Sequence, residues 1–226
     1  MSKLIIKNAS ELVTCRGKAP KHGKDMSSIG LIKNGCIVIE DEVIIDVGTE
    51  DILKNYKEEE YQVIDATDKA VLPGFIDSHT HLVFGGYRAE EFSWRLKGDT
   101  YMSIMERGGG ITSTVRATRN TSTEELISLG WKRLDKMLDM GVTTVEGKSG
   151  YGLDEETEIR QLKAMKELDK MHPVDIVPTF LGPHSVLPEY KGREDEFIDL
   201  MIDLLPEIVQ ENLAEFADIF CEKNVF

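Results

Sequence analysis

Beyond Pro73-Gly74 the sequence alternates short apolar runs with amphipathic segments of helical period, and it does so through four strand-like runs. That alternation restricts the chain to a parallel sheet whose crossovers are helices. Phe75 to His81, Val142 to Glu146, Asp175 to Phe180 and Phe216 to Cys221 are the four strand segments. Between the first and second, Ser122 reads as an N-cap, with Glu125 three residues later completing a capping box. Leu126, Leu129, Leu134, Met137 and Leu138 mark the buried face of that helix, and Gly141 stops it. The next helix carries Ile159, Leu162, Met165 and Leu168. The one after holds Phe197, Leu200, Met201 and Leu204 and is broken or restarted at Pro206.

Such a pattern fits a doubly wound sheet or part of a barrel. A complete barrel takes roughly 250 residues, and residues 73–226 supply too few. The expectation is an α/β chain whose residues 73–226 form a partial TIM-like (β/α) barrel of about four βα units. Residues 1–72 read as a small β-rich, sandwich-like domain, expected to be incomplete. Leu4 to Ile6 is a short apolar run there. Cys36 to Glu40 and Val43 to Val47 face each other across Asp41-Glu42 as a hairpin. A short polar helix is expected from Thr49 to Lys57, then strands at Gln62 to Asp65 and Ala70 to Leu72.

Of the 226 residues, 41 are acidic and 27 basic, a formal net charge of −14. This argues against a nucleic-acid backbone or an anionic membrane as the main partner. A small anionic substrate remains compatible, because one arginine can dominate a pocket. Cys15, Cys36 and Cys221 are an odd count with no CxxC spacing, unlike a disulfide scaffold or a cysteine-based zinc site. No run of about 18 apolar residues occurs, and Met1 to Ser10 lacks the parts of a secretion signal. A cytoplasmic protein is expected.

His79-Thr80-His81 closes the first of these strands. Period-two alternation aims both imidazoles at one face, where they can share a metal ion. Alone, such a pair is more often a polar strand end. Here it follows Leu72-Pro73-Gly74-Phe75-Ile76-Asp77-Ser78, and the whole segment resembles the metal-dependent amidohydrolase superfamily. Val83-Phe84-Gly85-Gly86-Tyr87-Arg88, Gly108-Gly109-Gly110-Ile111, Lys148-Ser149-Gly150-Tyr151-Gly152-Leu153 and Thr179-Phe180-Leu181-Gly182 with His184 narrow the likeness. With Phe216-Ala217-Asp218-Ile219-Phe220-Cys221-Glu222, they resemble the imidazolonepropionase family over essentially the whole chain.

The resemblance implies hydrolysis of 4-imidazolone-5-propanoate to N-formimidoyl-L-glutamate, in histidine degradation, with one Zn or Fe ion. His79 and His81 would be metal ligands, and Arg88, Tyr151 and His184 substrate contacts. A planar Arg fork suits the propanoate. Pro183, Ser185 and Leu187 around His184 depart from the small residues expected there, which bears on the shape of that loop. The third metal histidine, the metal aspartate and the general-base glutamate implied by the family would lie past residue 226, so no catalytic base is assigned. Activity is therefore expected of the intact enzyme and not of this chain alone.

His22 and His172 match no motif and are expected at the surface. Gly108 to Gly110 is expected to be a flexible active-site loop. Gly147-Lys148-Ser149 imitates a P-loop, but five residues separate Gly141 from Gly147 where four are required, and they read as a strand. A carbamylated, metal-bridging Lys148 belongs to a later strand in two-metal relatives, so a mononuclear site fits better. The expected partner is a small-molecule substrate, with no nucleic acid and no membrane, and a homodimer is admitted as an assembly. The alternatives are another cyclic-amidohydrolase or deaminase and a non-catalytic half-barrel binding module.

Overall fold

The computed structural model describes residues 2–17 and 19–221. It divides into two compact units, Met1–Pro73 and Gly74–Phe226.

The first unit is built on β1 (Lys3–Val13), β2 (Leu31–Glu40), β3 (Val43–Thr49), β4 (Gln62–Asp65) and β5 (Ala70–Val71). They form one mixed sheet of order β3-β2-β1-β4, with β5 also on β1. The expected hairpin is β2–β3. Glu40 faces Val43, and Asp41 and Glu42 both have positive φ (46° and 69°), as a two-residue turn matched to strand twist requires. β1 is far longer than the Leu4 to Ile6 run suggests. Its register shifts between Ile6 and Ala9, where Asn8 takes φ 61°, so the early part pairs with β4 and the later part with β5. Alternation along β2 sends Cys36 and Val38 into one apolar cluster with Ile5 and Leu53, and Ile37 into another with Ala9, Leu12 and Ala66. The described residues thus give one bent sheet with apolar residues on both faces, in place of two facing sheets. The polar helix expected near Thr49 is a 3-10 turn over Glu50–Asn55.

In the second unit the strands are β6 (Phe75–Thr80), β7 (Val142–Lys148), β8 (Asp175–Phe180) and β9 (Phe216–Ala217). All pair in parallel in the order β6-β7-β8-β9. Among the described residues the order does not reverse, as in a curled, half-barrel parallel sheet. The helices are α1 (Ala89–Leu96), α2 (Tyr101–Glu106), α3 (Gly110–Arg119), α4 (Thr123–Asp139), α5 (Glu155–Met171), α6 (Glu194–Asp203) and α7 (Leu205–Gln210). Val145 and Ile176 share a core with Leu126, Leu134, Leu162, Met165 and Leu168, so α4 and α5 cover one face of the sheet.

Ser122 caps α4, its hydroxyl accepting from Glu125 N at 3.2 Å. The buried stripe of α4 is Leu126, Gly130 and Leu134, and Leu138 is exposed. Gly130 belongs to the stripe because α5 comes so close: a Cβ there would lie 2.5 Å from Leu168 Cδ1. Two expectations change. Gly108 to Gly110 is the entry to a helix, since Gly109 is the N-cap of α3 and Gly110 N donates to buried Glu91 Oε1 at 2.7 Å. The fourth strand is only two residues long. Past it, Asp218 N still donates to Phe180 O (2.9 Å) and Phe220 N to Pro183 O (3.0 Å), outside ladder geometry. Glu222, which ends the last family-like motif, lies outside the described residues. Among the described residues no helix is long and apolar enough to cross a membrane.

Candidate active site

The parallel registers align the C-terminal ends of the strands: Thr80 with Gly147, Lys148 with Thr179, and Phe180 with Ala217. Residues at those ends therefore meet. His79 is exposed near the end of β6, and His81 is the first residue past it, with ring centroids 5.8 Å apart. Thr80, between them, turns the other way and donates from its hydroxyl to Glu146 O at 2.6 Å. His81 Nδ1 is buried and has no hydrogen-bond partner. Burial, reinforced by the neighbouring His184 and His79 rings, pushes the His81 imidazole down to about 4. The ring is thus neutral at physiological pH, as a metal ligand must be.

His184 stacks on His81 with centroids 4.9 Å apart and planes within 10°. Tyr151 lies 4.6 Å from His81 and 5.5 Å from His184, centroid to centroid. His184 Nδ1 is 2.8 Å from Gly150 O, and a carbonyl can only accept, so this nitrogen carries the proton and Nε2 keeps its lone pair. Gly150 is required for this approach. Its φ is +94°, and a Cβ would fall 2.6 Å from Leu181 O and 2.9 Å from His184 Nδ1.

Three elements thus bring His79, His81, Tyr151 and His184 together. Arg88 is placed differently. It is the exposed N-cap residue of α1, with Nε 3.8 Å from Glu91 Oε2. A chain of edge-on aromatic contacts leads from its loop to the cluster: Tyr87 to Phe84 (6.3 Å) and Phe84 to Tyr151 (5.7 Å). Arg133 of α4 fixes that loop, donating to Leu82 O and Phe84 O and lying 3.7 Å over the Phe84 ring.

Sequence reasoning missed the ionic centre on the same strands. Lys148 Nζ, 5% exposed as a residue, donates to Glu146 Oε1 (2.7 Å) and Asp218 Oδ2 (2.9 Å), and Thr179 Oγ1 donates to Glu146 Oε1 (2.7 Å). Burial alone would raise the Glu146 carboxyl, but the Lys148 ammonium and the Thr179 hydroxyl outweigh it and hold the group below its usual range. Lys148 likewise resists burial, and its two carboxylate partners raise it. It is an ion-paired side chain within a strand, which does not fit a phosphate-binding loop. The alternation argument used for His79 and His81 would have found Glu146 and Lys148, two residues apart on β7. His172 also differs from expectation. It is buried, its Nδ1 accepting from Val174 N (3.1 Å) and its ring set edge-on to Trp131.

Among the described residues no group of three or more His, Cys, Asp or Glu side chains is arranged to hold a metal ion. The two histidines nonetheless fit part of a coordination sphere. They share a strand end, and His81 Nδ1 is a buried nitrogen awaiting a partner.

The amidohydrolase family profile matches residues 62–176, half of the chain. The chain is 56% identical over 225 residues to an imidazolonepropionase of Clostridium tetani, an alignment covering 99% of this chain and 54% of that protein. It spans about half the length of the curated relatives it matches, which share that name. Among solved structures, a triazine hydrolase from Arthrobacter aurescens superposes with a TM-score of 0.64 at 18% identity, over 93% of this chain and 43% of that one. The atrazine chlorohydrolase TrzN of Arthrobacter aurescens TC1, complexed with zinc, gives 0.58 at 18%, over 84% and 37%. These two carry the fold alone. The mixed α/β architecture, the parallel strand order and the family match agree, and the chain belongs to the amidohydrolase family.

Proposed function

We propose that this chain carries the metal-histidine and substrate-contact half of an imidazolonepropionase, a hydrolase that opens the cyclic amide of 4-imidazolone-5-propanoate to N-formimidoyl-L-glutamate. The observation that supports it most is the stacking of His184 on His81 with Tyr151 against both, three motif residues far apart in sequence brought together at one end of the sheet. The 56% identity to a curated imidazolonepropionase, sustained along the chain, supports the substrate. In this reading residues 73–226 are the first half of a (β/α) barrel. Residues 1–72 are a β-rich companion whose sandwich-like form needs further strands.

His79 and His81 would hold one Zn or Fe ion together with donors from elsewhere in the full-length protein. When bound, such an ion would supply Lewis acidity towards a carbonyl and ease the ionisation of water near neutral pH. Zinc accompanies the structurally similar atrazine chlorohydrolase. His184 presents Nε2 as an acceptor to the ring N–H of the imidazolone, because its Nδ1 proton is committed to Gly150 O. Tyr151 contacts the substrate from the same side, and Arg88 swings from Glu91 to take the propanoate.

Metal analysis of the full-length protein tests the ligand assignment. A His79→Ala/His81→Ala variant should lose its stoichiometric metal. Metal retained at one equivalent would contradict the assignment. The double change is used because one remaining ligand can leave partial occupancy.

A further inference from the structure

Tyr151 sits in a loop whose backbone is held almost group by group, and most of the bonds converge on one buried carboxylate. Glu158 of α5 is 0% exposed. Its Oε1 accepts from Gly152 N and Leu153 N at 2.8 Å each, and its Oε2 from Gly150 N at 2.9 Å. The Ser149 side chain also bonds to it. One turn along, Gln161, also 0% exposed, accepts from Tyr151 N (3.3 Å) and donates from Nε2 to Val83 O (2.6 Å). The loop carbonyls are tied from the opposite direction, where Arg119 Nε of α3 donates to Gly152 O at 2.8 Å.

A buried carboxylate is tolerated only where its lone pairs are filled, and successive backbone N–H groups form an anion-binding nest that can fill them. Here the chain supplies its own anion. Gln161 then joins that nest to Val83, two residues past His81, so one helix face spaces Tyr151 from the metal-histidine strand. We infer that Glu158 and Gln161 are positioning residues: a two-residue polar clamp on α5 that fixes Tyr151 against His81 and His184 before substrate arrives. Neither side chain touches the substrate. This rests on the reading of Tyr151 as a substrate contact.

Two readouts on the full-length protein separate the clamp from that reading. The first is amide hydrogen exchange in Glu158→Gln. Glu158→Gln keeps one accepting oxygen and sets a non-accepting NH2 group against the rest, so at least one of the Gly150, Gly152 and Leu153 amides should exchange about tenfold faster or more, while Leu162 and Leu168 in the same helix stay protected. The second is kinetic. KM for imidazolone propanoate should rise roughly tenfold, with kcat changed less, and adding Tyr151→Phe should contribute little beyond that. If Glu158→Gln does not fold, Gln161→Met, which removes no charge, is followed at the Tyr151 amide it would release, with the same kinetic measurement beside it. Unchanged loop exchange in a folded variant overturns the clamp. Fast loop exchange with an unchanged KM overturns the link between clamp and substrate. Absence of turnover in the wild type would sink the function and leave the exchange test of the clamp intact.

Discussion

Arg88 sits exposed at the start of α1, and its 3.8 Å approach to Glu91 is loose enough for the guanidinium to turn to a ligand carboxylate. Arg88→Met should therefore raise KM for imidazolone propanoate by about 2–4 kcal/mol of lost charge-paired binding. An unchanged kcat/KM would make Arg88 a solvated surface group. The ion pairs of Lys148 give a pH test. Hydrogen bonding from Lys148 holds Asp218 below its ordinary range, and Glu146 is held low as well. Depressed carboxyls contribute stability above their unfolded pKa values of ~4 and lose it as pH falls through the lower folded values. Lys148→Met should thus destabilise the protein by ~1–3 kcal/mol at pH 7, a figure reduced for the partly exposed Asp218, and by much less near pH 2. Equal losses in urea unfolding at both pH values would refute the argument. At this scale the sequence showed the residues whose types are rare at strand ends, such as His79 and His81. It hid Glu158 and Gln161, because polar residues on a helix ordinarily face water, and nothing local says that a distant loop closes over them.

Elements were legible where one signal dominated. The Asp41-Glu42 hairpin, the Ser122 cap and the 3.6-residue stripe of α5 each follow from local chemistry. The segment from α1 to α3 was not legible. Its helices are short, and their order depends on a tertiary contact, the buried Glu91 carboxylate capping Gly110 from 19 residues away. The bend in β1 escaped for a related reason, since Asn8 reads as an ordinary polar strand residue until two partners compete for one strand. The Ser122 cap is testable by itself. Ser122→Ala should cost about 0.5–2 kcal/mol in denaturant unfolding by leaving the Glu125 N–H without its acceptor. A variant as stable as wild type would mean that water replaces the cap at no cost.

At the scale of the whole chain, β6 and β9 are the outer strands of the parallel sheet among the described residues, and both show apolar side chains: Phe75 and Ile76 on one, Phe216, Ile219 and Phe220 at the other. Along α6 and α7 Leu204 is buried, whereas Ile202, Leu205 and Val209 are exposed. Open edges and apolar patches favour association. Residues 1–226 expressed alone should self-associate in sedimentation velocity, and a monodisperse monomer would show that the edges are protected. Repeated βα units made this architecture readable in the sequence, since each strand pairs with the next. The central claim, that the cluster of His79, His81, Tyr151 and His184 belongs to an imidazolone-opening hydrolase, is tested most directly by imidazolone absorbance. The measurement compares metal-loaded full-length protein with its His79→Ala/His81→Ala variant. The wild type should consume 4-imidazolone-5-propanoate at roughly 1 s⁻¹ or faster and the variant should not; an inert wild type, or a variant that turns over equally well, would contradict the account.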